Sequence, residues 1–204
     1  MAPVMRSNDD EGRLMKRAIG AFAACVLVFG AYLARANDLG KPMLLVATPS
    51  LNGPYSGTVL VAVPLDNKHF GFILNRSTGT PLAKAFPEHA PSAKVLDPIY
   101  FGGPELAQGL FAVRRGDPGQ PSVRLFGDVF ATGNARVVDA IIEQTPNDAR
   151  YFAGFVGWQP EELAKEIASG YWYVGDAEEA QVLRRDTDTL WQELLERFGG
   201  AGAP

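Results

Sequence analysis

TVLVAV (Thr58–Val63) and HFGFILN (His69–Asn75) flank Pro64 and the short stretch LDNK (Leu65–Lys68). The first run is β-branched and apolar and is bounded by Gly57 and Pro64. The second is apolar with aromatic residues, and the four residues LDNK suit a tight turn. Together they read as a β-hairpin. Upstream, MLLVAT (Met43–Thr48) is a short apolar run ended by Pro49, which predicts a buried strand. Downstream, Leu82–Phe86 has room for one helical turn before Pro87, and residues 87–98 carry three prolines and read as a loop. Ile99–Phe101, Gly109–Arg114, Val123–Phe126 and Val129–Ala131 follow as short strands separated by glycine and proline turns. That spacing predicts a curved, mostly antiparallel sheet.

The pattern then changes period. Asn134 is placed to cap a helix over 135–144, with Val137, Val138, Ile141 and Ile142 on one face. Tyr151–Val156 reads as a strand. Pro160 is expected at the first position of a helix over Glu161–Ser169 that Gly170 stops. Tyr171–Val174 is a further strand, and Asp176–Arg185 and Thr189–Phe198 are expected helices. Without repeats or a long linker, residues 37–198 form a single α+β domain, with residues 199–204 (GGAGAP) as a disordered tail.

Composition excludes several classes. The 204 residues are 47% hydrophobic and 21% charged, which is neither a disordered nor a polytopic membrane chain, and Gly 22 with Pro 15 speaks against an all-helical bundle. Residues 37–204 hold 14 basic and 20 acidic side chains. A net charge of −6 without a lysine or arginine cluster argues against nucleic acid as a partner, because phosphate binding needs concentrated positive charge.

The N-terminus has its own signature. AIGAFAACVLVFGAYLA (Ala18–Ala34) contains no charge, follows Arg13, Lys16 and Arg17, and precedes Ala34-Arg35-Ala36. This order describes a signal peptide over residues 1–36, cut between Ala36 and Asn37. The alternative is an uncleaved anchor that crosses the inner membrane through residues 18–34. Either places residues 37–198 outside the cytoplasm, periplasmic or exported. The only cysteine, Cys25, lies in this segment, so the domain has no disulfide, thiolate nucleophile or cysteine-bound metal.

Catalytic signals are sparse. Ser56 with His69 or His89 is the only material for a hydrolytic triad, and Gly53-Pro54-Tyr55-Ser56-Gly57 is not a nucleophile elbow. No spacing of histidines or aspartates fits a metal, and Gly102-Gly103-Pro104 is not followed by the helix start of a phosphate loop. No catalytic residue, metal or cofactor is therefore expected. Arg76 follows an apolar strand, Trp158 precedes a proline turn, and Gly102 and Gly103 permit close backbone approach, so these four are the expected binding residues. Packing of Trp158 under the next helix and pairing of Arg76 with a carboxylate are the structural alternatives.

The ordered series Leu45-Val46-Ala47-Thr48-Pro49-Ser50, Thr58-Val59-Leu60, Gly71-Phe72-Ile73-Leu74-Asn75-Arg76, Tyr100-Phe101-Gly102-Gly103-Pro104 and Phe152-Ala153-Gly154-Phe155-Val156-Gly157-Trp158 resembles the YqgE/AlgH family of bacterial proteins. Glu162, Glu166 and Trp172 complete the series, and the resemblance covers about residues 41–198. It implies a compact α+β fold whose strongly curved, partly barrel-like sheet is flanked by helices. It also brings a label, transcriptional regulator, and no catalytic residues to carry over. The chain departs from the family at Gly53–Gly57, read as one residue shorter, at Ser77, where proline is usual, and in its N-terminal export or anchor segment. The resulting expectation is a non-enzymatic binding or accessory protein of the cell envelope, with a protein or envelope ligand as its partner. A transcriptional regulator is the alternative, and a small envelope hydrolase a distant one.

Overall fold

The computed structural model describes residues 39–199. The expected cleavage site at Ala36–Asn37 and the apolar segment 18–34 lie outside the described residues. No helix among the described residues is long and apolar enough to cross a membrane.

Strand β1 (Met43–Ala47) is buried at every position because it is covered on both faces. Leu44 and Val46 join one apolar cluster with Val59, Val61 and Phe72, while Met43, Leu45 and Ala47 join another with Leu60, Trp158 and Leu163. A strand with two buried faces needs a continuous apolar run rather than an alternating one, and MLLVA is such a run. Strands β2 (Val59–Leu65) and β3 (Lys68–Ile73) form the expected hairpin, closed by Asp66 and Asn67, with Asp66 at φ 53. Strand β4 (Ser77–Pro81) was not expected. It pairs antiparallel with β5 (Pro98–Phe101), and helix α1 (Leu82–Ala85) and a 3-10 turn at Ala90–Lys94 occupy the connection.

Strand β6 (Glu105–Arg115) is longer than expected and irregular. Its pairing with β9 (Ala149–Trp158) shifts register between Glu105 and Leu110. Strands β7 (Val123–Phe126) and β8 (Val129–Thr132) form a second hairpin. Helix α2 (Ala135–Gln144) is capped by Asn134, whose side chain accepts from the Val137 N–H at 3.4 Å, and it buries Val138, Ile141 and Ile142. Helix α3 (Glu162–Ala168) begins later than the sequence implies. Glu161 is in the left-handed region at φ 64, so Pro160 stands in a turn rather than in the first helical turn. Strand β10 (Trp172–Asp176) takes the start of an expected helix, of which only α4 (Glu179–Val182) remains, and α5 (Leu190–Gly199) is the last element.

The ten strands make one sheet whose main path runs β10-β1-β2-β3-β9-β6-β8-β7, with β5 parallel to β9 and β4 beyond β5. The sheet curls into a mostly antiparallel half-barrel, with the five helices of the described residues beside it: the expected α+β architecture. On one side of β9, β3 pairs near Trp158 and β5 pairs near Phe152, so three strands meet there. The Gly102 N–H donates to the Ala153 carbonyl (2.8 Å), and the Gly102 carbonyl accepts from the Ile73 N–H (2.9 Å). A Cβ on Gly102 would stand 2.3 Å from the Gly154 carbonyl oxygen, and one on Gly103 would stand 2.2 Å from the Phe155 carbonyl carbon. Only glycine lets the three backbones come this close.

Candidate functional site

The region where β3 leaves the sheet brings Arg76 together with the loop that carries Ser56. Asn75 anchors it. Its Nδ2 donates to the Gly57 carbonyl (2.9 Å) and its Oδ1 accepts from the Val59 N–H (2.8 Å). The loop before β2 is thereby fixed to the strand end, and Thr58 tightens it by donating from Oγ1 to the Tyr55 carbonyl (2.6 Å). Arg76 reaches across the same loop, with a single long bond of 3.5 Å from its guanidinium to the Ser56 carbonyl. Among the described residues it makes no ion pair, and it is half-buried. Its own carbonyl accepts from the Phe101 N–H (2.7 Å), which ties it to the strand entering Gly102-Gly103.

Tyr55, on the loop that Arg76 reaches, packs against Trp172. Its ring stands edge-on to Trp172, with centroids 6.2 Å apart. Burial first, then the carboxylates of Glu166 and Glu105, push the Tyr55 hydroxyl above its ordinary pKa, and Arg76 acts in the opposite direction. Glu166, on α3, accepts two indole N–H bonds on one carboxylate oxygen, from Trp158 (3.0 Å) and from Trp172 (2.8 Å). The next turn back on that helix, Glu162, accepts from the Gln159 N–H (2.9 Å).

The four expected binding residues thus lie in one neighbourhood, in different roles. Arg76 is at the surface with its guanidinium weakly held. Trp158 is 3% exposed and bound to Glu166, so the expected contact role gives way to a core position under α3. Gly102 and Gly103 are buried at the junction of three strands, where they serve backbone approach rather than a partner. Glu166 and Tyr55 were not singled out as site residues. The signal for Glu166 was its place on a helix flanked in sequence by Trp158 and Trp172.

The triad candidates are dispersed among other partners. His69 Nε2 donates to the Leu39 carbonyl (2.8 Å), and His89 Nδ1 bonds the Ser92 hydroxyl (2.8 Å), a side chain that is fully buried. Neither histidine is hydrogen-bonded to Ser56. No group of three or more histidine, cysteine or acidic side chains suited to a metal occurs among the described residues.

Arg150 was also unforeseen. It is 1% exposed and donates to the carbonyls of Leu74 (2.6 Å) and Val182 (2.9 Å), with its guanidinium carbon 4.1 Å from the centre of the Tyr100 ring. Burial lowers its pKa to about 10. It fastens the residue before Asn75-Arg76 to β9 and α4, and so holds the strand end that presents Arg76.

The family model described as AlgH-like (DUF179) matches residues 44–203. A UPF0301 protein of Streptomyces avermitilis is 32% identical over 170 residues, covering 76% of this chain and 84% of the relative. A UPF0301 protein of Chlorobium limicola is 27% identical over 163 residues, 78% of this chain and 86% of its own length. Two solved structures share the fold. The AlgH protein of Pseudomonas aeruginosa has a TM-score of 0.65 at 22% identity, covering 81% of this chain and 90% of that one. A protein of Corynebacterium diphtheriae has a TM-score of 0.63 at 24% identity, covering 78% and 86%.

Proposed function

The chain belongs to the AlgH-like family, and from that premise we propose that it is a non-enzymatic binding or accessory protein of the bacterial cell envelope. Its contact surface is centred on Arg76. The observation that carries this reading is the state of that guanidinium: one long bond to a carbonyl and no ion pair among the described residues, on a strand end fixed by Asn75 and Arg150. A cation carried on a fixed strand end, with its guanidinium left without an ion pair, is available to an acceptor on a partner, and arginine is a frequent anchor of interfaces. The loop that Arg76 reaches is exposed at residues 52–54 and meets it through the backbone carbonyl of Ser56, not its hydroxyl.

The location in the envelope rests on the order of basic flank, apolar run and Ala34-Arg35-Ala36. A reporter enzyme that works only outside the cytoplasm, fused after Pro204, is expected to be active. An inactive fusion, with a cytosolic reporter active in its place, overturns export and returns the regulator reading to first place. N-terminal sequencing then separates a cut before Asn37 from a retained anchor.

The binding role is tested in the full-length chain by Arg76→Ala. This variant is expected to lose the native complex seen on crosslinking in cells while changing stability by only about 0–1 kcal/mol, the range for a surface charge without an ion pair. Ser56→Ala is the control and is expected to leave the complex and its phenotype unchanged. The reverse outcome, a null Ser56→Ala beside a wild-type Arg76→Ala, replaces this reading with the hydrolase.

A further inference from the structure

Phe155 and Val156 point to opposite faces of β9. Val156 joins Trp158 in the cluster under α3, whereas Phe155 faces an apolar groove of about 360 Å³ on the other side of the curled sheet. The groove is distinct from the Arg76 surface. Its wall is a chain of phenylalanine rings from three strands. Phe70 meets Phe72 edge-on (6.4 Å between centroids), Phe72 lies tilted against Phe111 (5.9 Å), and Phe111 meets Phe155 edge-on (5.6 Å). Leu65 and Val123 form part of the rim and are 50% and 44% exposed, among the most exposed large apolar side chains in the described chain.

Small residues keep the groove open. Ala131 fills little of its wall. Gly133 has no side chain, and a Cβ there would stand 2.5 Å from the Phe111 ring. The Phe111 ring keeps its place against the wall because position 133 is glycine. Among the described residues, no ionisable side chain lines the groove. Its polar groups have partners of their own: Thr132 donates to the Pro121 carbonyl (2.8 Å) and accepts from the Asn134 N–H (3.2 Å), Asn134 in turn caps α2, and the Ser122 hydroxyl donates to Asp117 (3.2 Å).

We infer that this groove is a binding site for a small uncharged molecule built on aromatic rings. The absence of lining charge disfavours an ionic ligand, which would lose its hydration without compensation. The volume holds about a dozen groups of water size, at roughly 30 Å³ each, which is the scale of a two-ring compound. The ring chain selects for aromatics over alkyl chains. Phenylalanines already arranged edge-to-face present ring faces and edges to the groove, and a further ring continues the same geometry.

The test uses the full-length protein and benzophenone, an uncharged two-ring molecule that crosslinks on irradiation, with labelled peptides located by mass spectrometry. Labelling is expected to saturate with concentration, to fall on the segments holding Phe70–Phe72 and Val123, and to be displaced by naphthalene. Gly133→Ala moves the Phe111 ring into the groove, and Leu65→Glu sets a charge on its rim; each is expected to weaken labelling by at least about tenfold. Should Gly133→Ala fail to fold, Leu65→Glu decides the matter, since its side chain is half exposed in the native chain. Any of these results overturns the inference: labelling that tracks surface exposure, labelling confined to residues 18–34, no effect of Leu65→Glu, or displacement by 1-decanol as effective as by naphthalene. A self-associated protein whose groove is shielded from label in every oligomer also overturns it, because the occupant is then a second copy.

Discussion

Glu166 is the residue on which both buried tryptophans depend. Its truncation to alanine leaves two indole N–H groups without an acceptor in an apolar setting, at an expected cost of about 2–4 kcal/mol, whereas Glu166→Gln keeps an acceptor and costs about 1 kcal/mol. Urea midpoints at constant m-value check the contrast. Trp158→Ala is expected to cost about 3–5 kcal/mol as a core truncation, far more than Arg76→Ala. Arg76 was legible in the sequence because a charge directly after Phe70–Leu74 must stand at a strand end. Trp158 was ambiguous, since tryptophan serves cores and interfaces alike and local sequence does not say which side of a strand is covered. Glu166 was hidden because its role exists only once β9 and β10 bring residues 158 and 172 to the same helix. Arg150 was hidden for a similar reason: its acceptors are carbonyls of Leu74 and Val182, far away in sequence and lacking any side-chain signature.

At the scale of elements, the strands with two covered faces were the most legible, because a continuous apolar run such as MLLVA has no alternative reading in a chain so rich in turns. Strand β4, STGTP, carries no large apolar side chain and is mostly exposed, so pairing with β5 rather than composition makes it a strand. The ends of β9 were missed because Arg150 and Gly157-Trp158 break the apolar pattern, although all of them lie in the ladder. Helix α5 offers a direct pH test. Arg184 donates to both oxygens of Glu193 (2.6 and 2.8 Å), and this pairing, followed by the bond from Thr189, lowers the Glu193 pKa to about 2. A carboxylate whose folded pKa is depressed contributes stability above its unfolded value, near 4.5, and loses it as pH falls towards about 2. Thermal melts between pH 5 and pH 2, on the scale of that pKa interval, are expected to fall less steeply for Glu193→Gln than for the unaltered chain, the two curves converging at the acid end.

For the whole molecule, charge is the property with the broadest reach. The 14 basic and 20 acidic side chains beyond residue 36 predict that the full-length protein binds duplex DNA no more tightly than the micromolar range at physiological salt. Titration of a labelled duplex checks this, and sub-micromolar binding with a steep salt dependence contradicts it. The sheet order carries a different consequence, one of timing. β1 lies between β2 and β10, and Met43 is in register with Asp176, so the first strand finds one of its two neighbours only near the end of the chain. Such long-range pairing folds slowly, because a large loop must close before the contact forms. A ribosome releases residue 176 long after residue 43. Until then β1 has an open edge on the side that β10 later covers.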